Sequence, residues 1–214
     1  PIIGITGANG KSTTTSLTAH LLDAAADDSL CPIRNVHLGG NIGNRPLLAR
    51  LDEIKQDDAV VLELSSFQLE QLARIEKSPW ISVLINITPN HLDRHGTFEE
   101  YCRAKDYIFQ SQQPWRNNPP VSIFNAEDEV AASFYEKYRN DANRVSLQYR
   151  KSDVPPHLAD KFNLVGPMNL SNLAAALAVT NIFNPDPAAL ARAVADFAPL
   201  PDRLEFVGQA GGVK

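Results

Sequence analysis

The sequence predicts an α/β fold: a mostly parallel central sheet with helices on both faces. Three observations predict it. Short apolar runs rich in branched residues (Ile2–Ile5, Asp58–Leu64, Trp80–Ile87, Val121–Phe124) read as buried strands. Longer stretches with helical spacing separate them, and strands alternating with helices argue for parallel pairing. A glycine turn joins the first strand directly to a helix, as such sheets do where they bind ligands. At 214 residues the chain is long enough for one sizeable domain, and residues 1–214 are read as one.

The first stretch, Pro1–Thr15, is PIIGITGANGKSTTT. Ile2, Ile3 and Ile5 form the strand. Gly7 and Gly10 bracket a tight turn containing Ala8 and Asn9, and Lys11, Ser12 and Thr13 open a helix. Glycines let backbone N–H groups point at phosphate oxygens, and a helix N-terminus adds partial positive charge. Lys11 supplies a full charge for β/γ-phosphates, and the hydroxyl of Ser12 or Thr13 can ligate Mg²⁺. The usual G-x-x-x-x-G-K-[ST] pattern wants a further glycine where Ile5 stands, so the loop is a shorter G-x-x-G-K-S-T. A glycine turn that holds nothing is the alternative.

Thr13–Ala26 is predicted as a helix, with Leu17, Leu21 and Leu22 as its apolar stripe, ended by Asp27, Asp28 and Ser29. Val36–Leu38 can form a short strand. Gly39-Gly40-Asn41-Ile42-Gly43 is either a backbone that something approaches closely or a turn before a helix over Pro46–Leu51. Asn41 is a candidate ligand donor. Strand Asp58–Leu64 carries Glu63 at its carboxyl end, where a carboxylate either holds Mg²⁺ or faces solvent. Ser65, Ser66 and Phe67 lead into helix Gln68–Ala73.

Strand Trp80–Ile87 runs into the polar turn Thr88–His95, where His91 is a candidate metal ligand or a surface residue. Thr97 caps a helix to Gln110. Lys105 lies inside it and by composition alone is a solvated lysine. Prolines break the chain before strand Val121–Phe124. Helix Val130–Tyr138, strand Arg144–Leu147 and a polar loop over Gln148–Ala159 follow. Helices Asn169–Phe183 and Ala188–Phe197 come next, then the rigid turn Pro199–Arg203 and strand Leu204–Val207. No internal repeat or low-complexity tract interrupts this order.

Composition narrows the function. Net charge is −5 with no block of basic residues, which disfavours a nucleic-acid surface. No apolar run is long enough to span a membrane. Cys31 and Cys102 fit neither a disulfide framework nor a zinc spacing, so a reducing cytoplasm is expected. The first residue is not Met, and Gly208–Lys214 reads as a turn leading onward, so the chain is expected to be an excised domain.

The spaced motifs G7-A-N-G-K-S-T-T-T15, G39-G-N-I-G43, L62-E-L-S-S-F-Q-L-E70, N86-I-T-P-N-H-L-D-R-H95, Y101-C-R-A-K105, N125-A-E-D128, N169-L-S-N-L-A-A-A176 and L200-P-D-R-L-E205 resemble the Mur ligase family, in its order, over almost the whole chain. The resemblance implies a phosphate-loop NTPase-like central domain whose UDP-binding and amino-acid-binding flanking domains are absent. The phosphate loop and HLD segment are shared with folylpolyglutamate synthetases. GGNIG and LELSSFQLE point to the member that adds D-glutamate to UDP-N-acetylmuramoyl-L-alanine, working in the cytoplasm as a monomer with ATP and Mg²⁺.

By that resemblance, Gly7–Thr13 hold the ATP phosphates, and Ser12, Glu63, His91 and Lys105 serve the metal, Lys105 as a carbamate. Lys11, Lys105 and His91 are the catalytic set. Asn41, Ser65 and Phe67 face the UDP-sugar, Asn169 and Asn172 lie near adenine, and Arg203 lies near the ribose. Three departures are visible. Asn90 replaces a usual Asp, Met168 replaces a usual His, and Arg150–Val165 is short. Asn90 and the short Arg150–Val165 region motivate an alternative, a nucleotide-binding module without ligase activity; another ligase of the same superfamily is a third reading.

Overall fold

A computed structural model describes residues 1–26, 31–42 and 46–198. Its six strands are β1 (Ile2–Thr6), β2 (Val36–Gly40), β3 (Ala59–Glu63), β4 (Ile81–Leu84), β5 (Val121–Asn125) and β6 (Val145–Tyr149). They form one sheet in the order β2-β3-β1-β4-β5-β6, and every pair is parallel. The central strands bury both faces, which is why they lack polar alternation.

Side chains alternate between two cores. Ile3, Ile5, Val61, Ile81, Val83 and Ile123 pack under α1 (Lys11–Ala26), α7 (Pro167–Thr180) and α8 (Pro187–Asp196). Leu84 and Phe124 point the other way, to α2 (Ser66–Arg74), α4 (Phe98–Gln110) and α5 (Glu129–Tyr138). The chain thus leaves β1 over one face and β3 over the other. Their adjacent carboxyl ends open a crevice, the position where open α/β sheets place ligands.

Several boundaries move from the sequence expectation. The first helix starts at Lys11, not Thr13, so the whole lysine-serine-threonine run lies in its first turn. β4 ends at Leu84 rather than Ile87, because its neighbour β1 bends into the glycine turn and Asn86 follows the turn instead of a ladder. Leu47–Glu53 is a 3-10 helix. The turn after β4 contains one further helical turn, α3 (Leu92–His95).

The expected loop Gln148–Ala159 instead holds the end of β6, a 3-10 turn (Lys151–Asp153) and α6 (Pro156–Ala159). Val154, Leu158 and Leu164 are buried in the main core, an apolar spacing hidden among prolines and charges. The long C-terminal helix begins at Pro167, where a missing N–H costs nothing, and tightens into a 3-10 turn at Asn181–Phe183. The end of the first helix at Asp27–Ser29, Gly43, Arg203 and the strand Leu204–Val207 lie outside the described residues.

Candidate functional site

The glycine turn is templated from β4's side. Asn86 accepts from Ala8 N–H through both its carbonyl (2.9 Å) and Oδ1 (3.1 Å). Its Oδ1 also accepts from Asn9 N–H at 2.9 Å, and its Nδ2 returns a bond to Asn9 O at 2.9 Å. One side chain therefore fixes the turn whose amides line the crevice. Asn86 received no role from sequence reasoning; its only signal was an amide at the end of an apolar run. Gly7 lies against Ile85 below the turn.

Gly10 closes the turn with φ 81°. A Cβ there would stand 2.6 Å from Asn172 Oδ1, so only glycine fits. Asn172 is itself buried. It accepts from Thr14 Oγ1 at 3.1 Å and donates to Asn169 Oδ1 at 3.2 Å, while Asn169 donates to Val165 O at 2.9 Å. This chain seats α7 on the first turn of α1. Thr15 donates back to Lys11 O at 2.7 Å, so Thr14 and Thr15 serve the scaffold, leaving Ser12 and Thr13 at the opening.

Across the crevice stands Glu63, 2% exposed at the end of β3. Ser12 Oγ donates to its Oε2 at 2.7 Å, and Asn41 Nδ2 to its Oε1 at 3.1 Å. Asn41 N–H also binds Glu63 O at 2.8 Å. Gly40 makes this possible: its φ is 89°, and a Cβ would overlap the Glu63 carbonyl. What approaches Gly40 closely is thus the neighbouring strand, while Gly39 faces the Leu47 side chain. Lys11 Nζ donates to Ala8 O at 2.8 Å.

Lys105 is buried, contrary to its reading from composition. It lies on the buried face of α4 with Tyr101, Ala104 and Ile108, while the next residue, Asp106, is anchored by Tyr138 Oη at 2.8 Å and Lys137 Nζ at 2.6 Å on α5. Lys105 Nζ donates to Thr6 Oγ1 at 2.9 Å and lies 5.3 Å from the centre of the Tyr101 ring. Burial lowers its pKa to about 7, helped by the charge of Lys11 and opposed by Glu63. A lysine so placed is half neutral near physiological pH.

A cleft of about 520 Å³ joins these parts. Residues 8–13, Asn41, Glu63, Met168, Asn169 and Asn172 line it. Ser65, Phe67, His91 and Lys105 are not in its lining. Ser65 caps α2 in a capping box with Gln68. Phe67 packs 5.4 Å from the His91 ring, which is exposed at the left-handed start of α3 (φ 52°). Asn90 Oδ1 accepts from His91 N–H at 2.9 Å. Among the described residues no three His, Cys, Asp or Glu side chains gather as a metal cluster. None of their helices is long and apolar enough to cross a membrane.

A glycine turn templated by Asn86, the helix start that follows it and a buried carboxylate across the crevice define the cleft of a parallel α/β domain. Comparison places it more narrowly. The Mur ligase middle domain family matches residues 5–155, and the chain belongs to that family. The UDP-N-acetylmuramoylalanine–D-glutamate ligase of Acidobacterium capsulatum is 37% identical over 230 residues, covering 99% of this chain and 47% of the relative. The ligase of the same name from Zymomonas mobilis is 37% identical, covering 100% and 44%. A solved structure of UDP-N-acetylmuramoyl-L-alanyl-D-glutamate–2,6-diaminopimelate ligase superposes with a TM-score of 0.69 at 26% identity, covering 94% of this chain and 47% of that one. The chain spans about half the length of the curated relatives it matches.

Proposed function

We propose that this chain is the ATP-binding part of a cytoplasmic, monomeric ligase that joins D-glutamate to UDP-N-acetylmuramoyl-L-alanine. The observation that carries the reading is the Ser12–Glu63 pair at the mouth of the phosphate loop. A hydroxyl and a carboxylate oxygen side by side are the ligands Mg²⁺ prefers, next to amides that accept phosphate. The amino-acid choice draws on the printed names of relatives covering the whole chain.

In this reading the turn amides, the start of α1 and Lys11 hold the β- and γ-phosphates. Lys11 neutralises charge as the substrate carboxylate oxygen bonds to the γ-phosphorus and the bond to ADP breaks. The glutamate amine then attacks the acyl carbon. Phosphate leaves with the bonding pair, the amine loses a proton, and an amide remains. Mg²⁺, where bound, supplies charge neutralisation across the transferring phosphate.

Ser12 and Glu63 would hold one Mg²⁺. His91 and Lys105 would serve a second, Lys105 as a carbamate, for which a buried amine with a lowered pKa is suited. Asn169 would meet adenine, with Asn172 shaping the wall behind it and Met168 at its rim; Arg203 would meet the ribose. Asn41, Ser65 and Phe67 would face the UDP-sugar.

The test is phosphate release by the full-length protein containing this chain. Release should require both UDP-N-acetylmuramoyl-L-alanine and D-glutamate, and a mass increase of the UDP-sugar should accompany it. Turnover with a different amino acid would refute the D-glutamate assignment. Nucleotide binding with no substrate-dependent release would instead favour a binding module, the reading motivated by Asn90.

A further inference from the structure

We propose that His95 is a positioning residue: through Ser66 and Glu70 it locks α2 to α3, the two segments that carry Ser65, Phe67 and His91. His95 ends the Asn86–His95 segment and has no part in the proposed reaction. Its side chain is 2% exposed. Nε2 lies 2.9 Å from Ser66 Oγ, and Nδ1 faces Glu70 Oε1 at 3.5 Å. A carboxylate only accepts, so it favours the tautomer with the proton on Nδ1, and Nε2 then accepts from the Ser66 hydroxyl.

The ring does as much as the polar atoms. It stacks on Phe67 with centres 5.5 Å apart and planes within 9°, and meets Tyr101 of α4 at 5.3 Å. Phe67 is clamped in turn by His91 at 5.4 Å and by the Arg94 guanidinium at 5.8 Å.

The need for such a lock follows from length. α3 has four residues, between a left-handed His91 and Gly96 at φ 80°. One turn has no stability of its own and must be pinned by tertiary contacts. His95, its last residue, supplies the pin, and Ser66, the first residue of α2, receives it. Hydroxyl, imidazole and carboxylate in a row suggest a nucleophile, but Ser66 is 2% exposed and cannot meet a substrate. The relay therefore acts on position. Moving His95 tilts α3, which carries His91 at its start, and frees Phe67 beside the Ser65 cap.

The functional consequence rests on the roles proposed above for Ser65, Phe67 and His91; the lock itself does not. Two arms keep them apart. In this chain alone, NMR should show the Phe67 ring and His91 imidazole resonances shifted in His95→Ala and partly restored in His95→Gln, whose amide can still reach Ser66. Ser66→Ala, a smaller change, should shift the same resonances and serves if His95→Ala fails to fold.

In the full-length protein, His95→Ala should raise the KM for the UDP-sugar and the Mg²⁺ requirement on the order of tenfold, with the KM for ATP unchanged. Unmoved Phe67 and His91 signals in Ser66→Ala, and in His95→Ala where it folds, would overturn the lock. Equal rises in both KM values would overturn the positioning role. A wild-type protein without ligation would refute the function while the NMR arm still decides the lock.

Discussion

Lys105 allows a prediction in the chain as it stands, without substrate or metal. Its pKa is lowered from the ordinary lysine value of 10.5 to about 7. The unfolded chain therefore binds more protons than the folded chain between those values, and stability must rise with pH across that window. Below pH 7 both states are protonated at Lys105 and its burial penalty is full; above pH 10.5 both are neutral and the penalty is gone. The slope at pH 7 is half its full value of about 1.36 kcal/mol per unit and is nearly full by pH 8, so Lys105 should add about 2.3 kcal/mol between pH 7 and pH 9. Urea unfolding in CO₂-free buffer at pH 6, 7, 8 and 9 reads this directly. Lys105→Met keeps the length and apolar stem but cannot titrate, so its own pH dependence is the background to subtract. A wild-type slope no steeper than that of Lys105→Met would refute the reasoning. The same lowered pKa leaves about half the amines neutral at pH 7, against roughly one in several thousand for an exposed lysine. Labelled bicarbonate should therefore give a carbamate carbon signal in wild type and none in Lys105→Met.

Other residues give independent tests. Glu63→Gln keeps the shape that Ser12 and Asn41 hold but removes the charge; the Mg²⁺ concentration for half-maximal turnover of the full-length protein should rise on the order of tenfold, with a smaller change for nucleotide. Asn172→Ala strands Thr14 and Asn169 in a buried wall, so urea unfolding should show a loss of about 1–3 kcal/mol. Asp58 is the acid-side counterpart of Lys105. Burial pushes its carboxyl up, but bonds from Lys55 N–H, Asn35 and His37 outweigh this and hold it at about 2. A depressed carboxyl contributes above its unfolded value of 3.8 and loses that contribution as pH falls toward 2. Asp58→Asn should therefore flatten the loss of stability between pH 4 and pH 2 by about 2 kcal/mol, measured by thermal unfolding.

The strands and the glycine turn were legible because their signals are local. Ile2–Ile5 announces a buried strand by itself, and Gly7–Gly10 followed by Lys11-Ser12 announces a tight turn into a helix by itself. Glu63 was legible from its place at a strand end. What was hidden depends on distant partners. Lys105 reads as a surface lysine until Thr6 and the Asp106 anchor are placed around it. Asn86 is one polar residue in an apolar run until Ala8 and Asn9 fold against it. His95 looks like part of a charged turn until Ser66 and Phe67 meet it across two helices. The stretch after β6 looked like loop because Val154, Leu158 and Leu164 reach the core at irregular spacing. His91 was anticipated as a metal ligand, yet it stands exposed beside Phe67 and outside the cleft lining, a placement no spacing rule could give.

The proposed function requires that the cleft between Gly10–Thr13 and Glu63 be the phosphate site. Titration calorimetry of this chain with a non-hydrolysable ATP analogue and Mg²⁺, wild type against Lys11→Ala, tests it most directly. Binding to the wild type should depend on Mg²⁺ and weaken tenfold or more in the variant, because a full charge facing the phosphates is removed. Equal affinity in the two proteins, or binding indifferent to Mg²⁺, would contradict it.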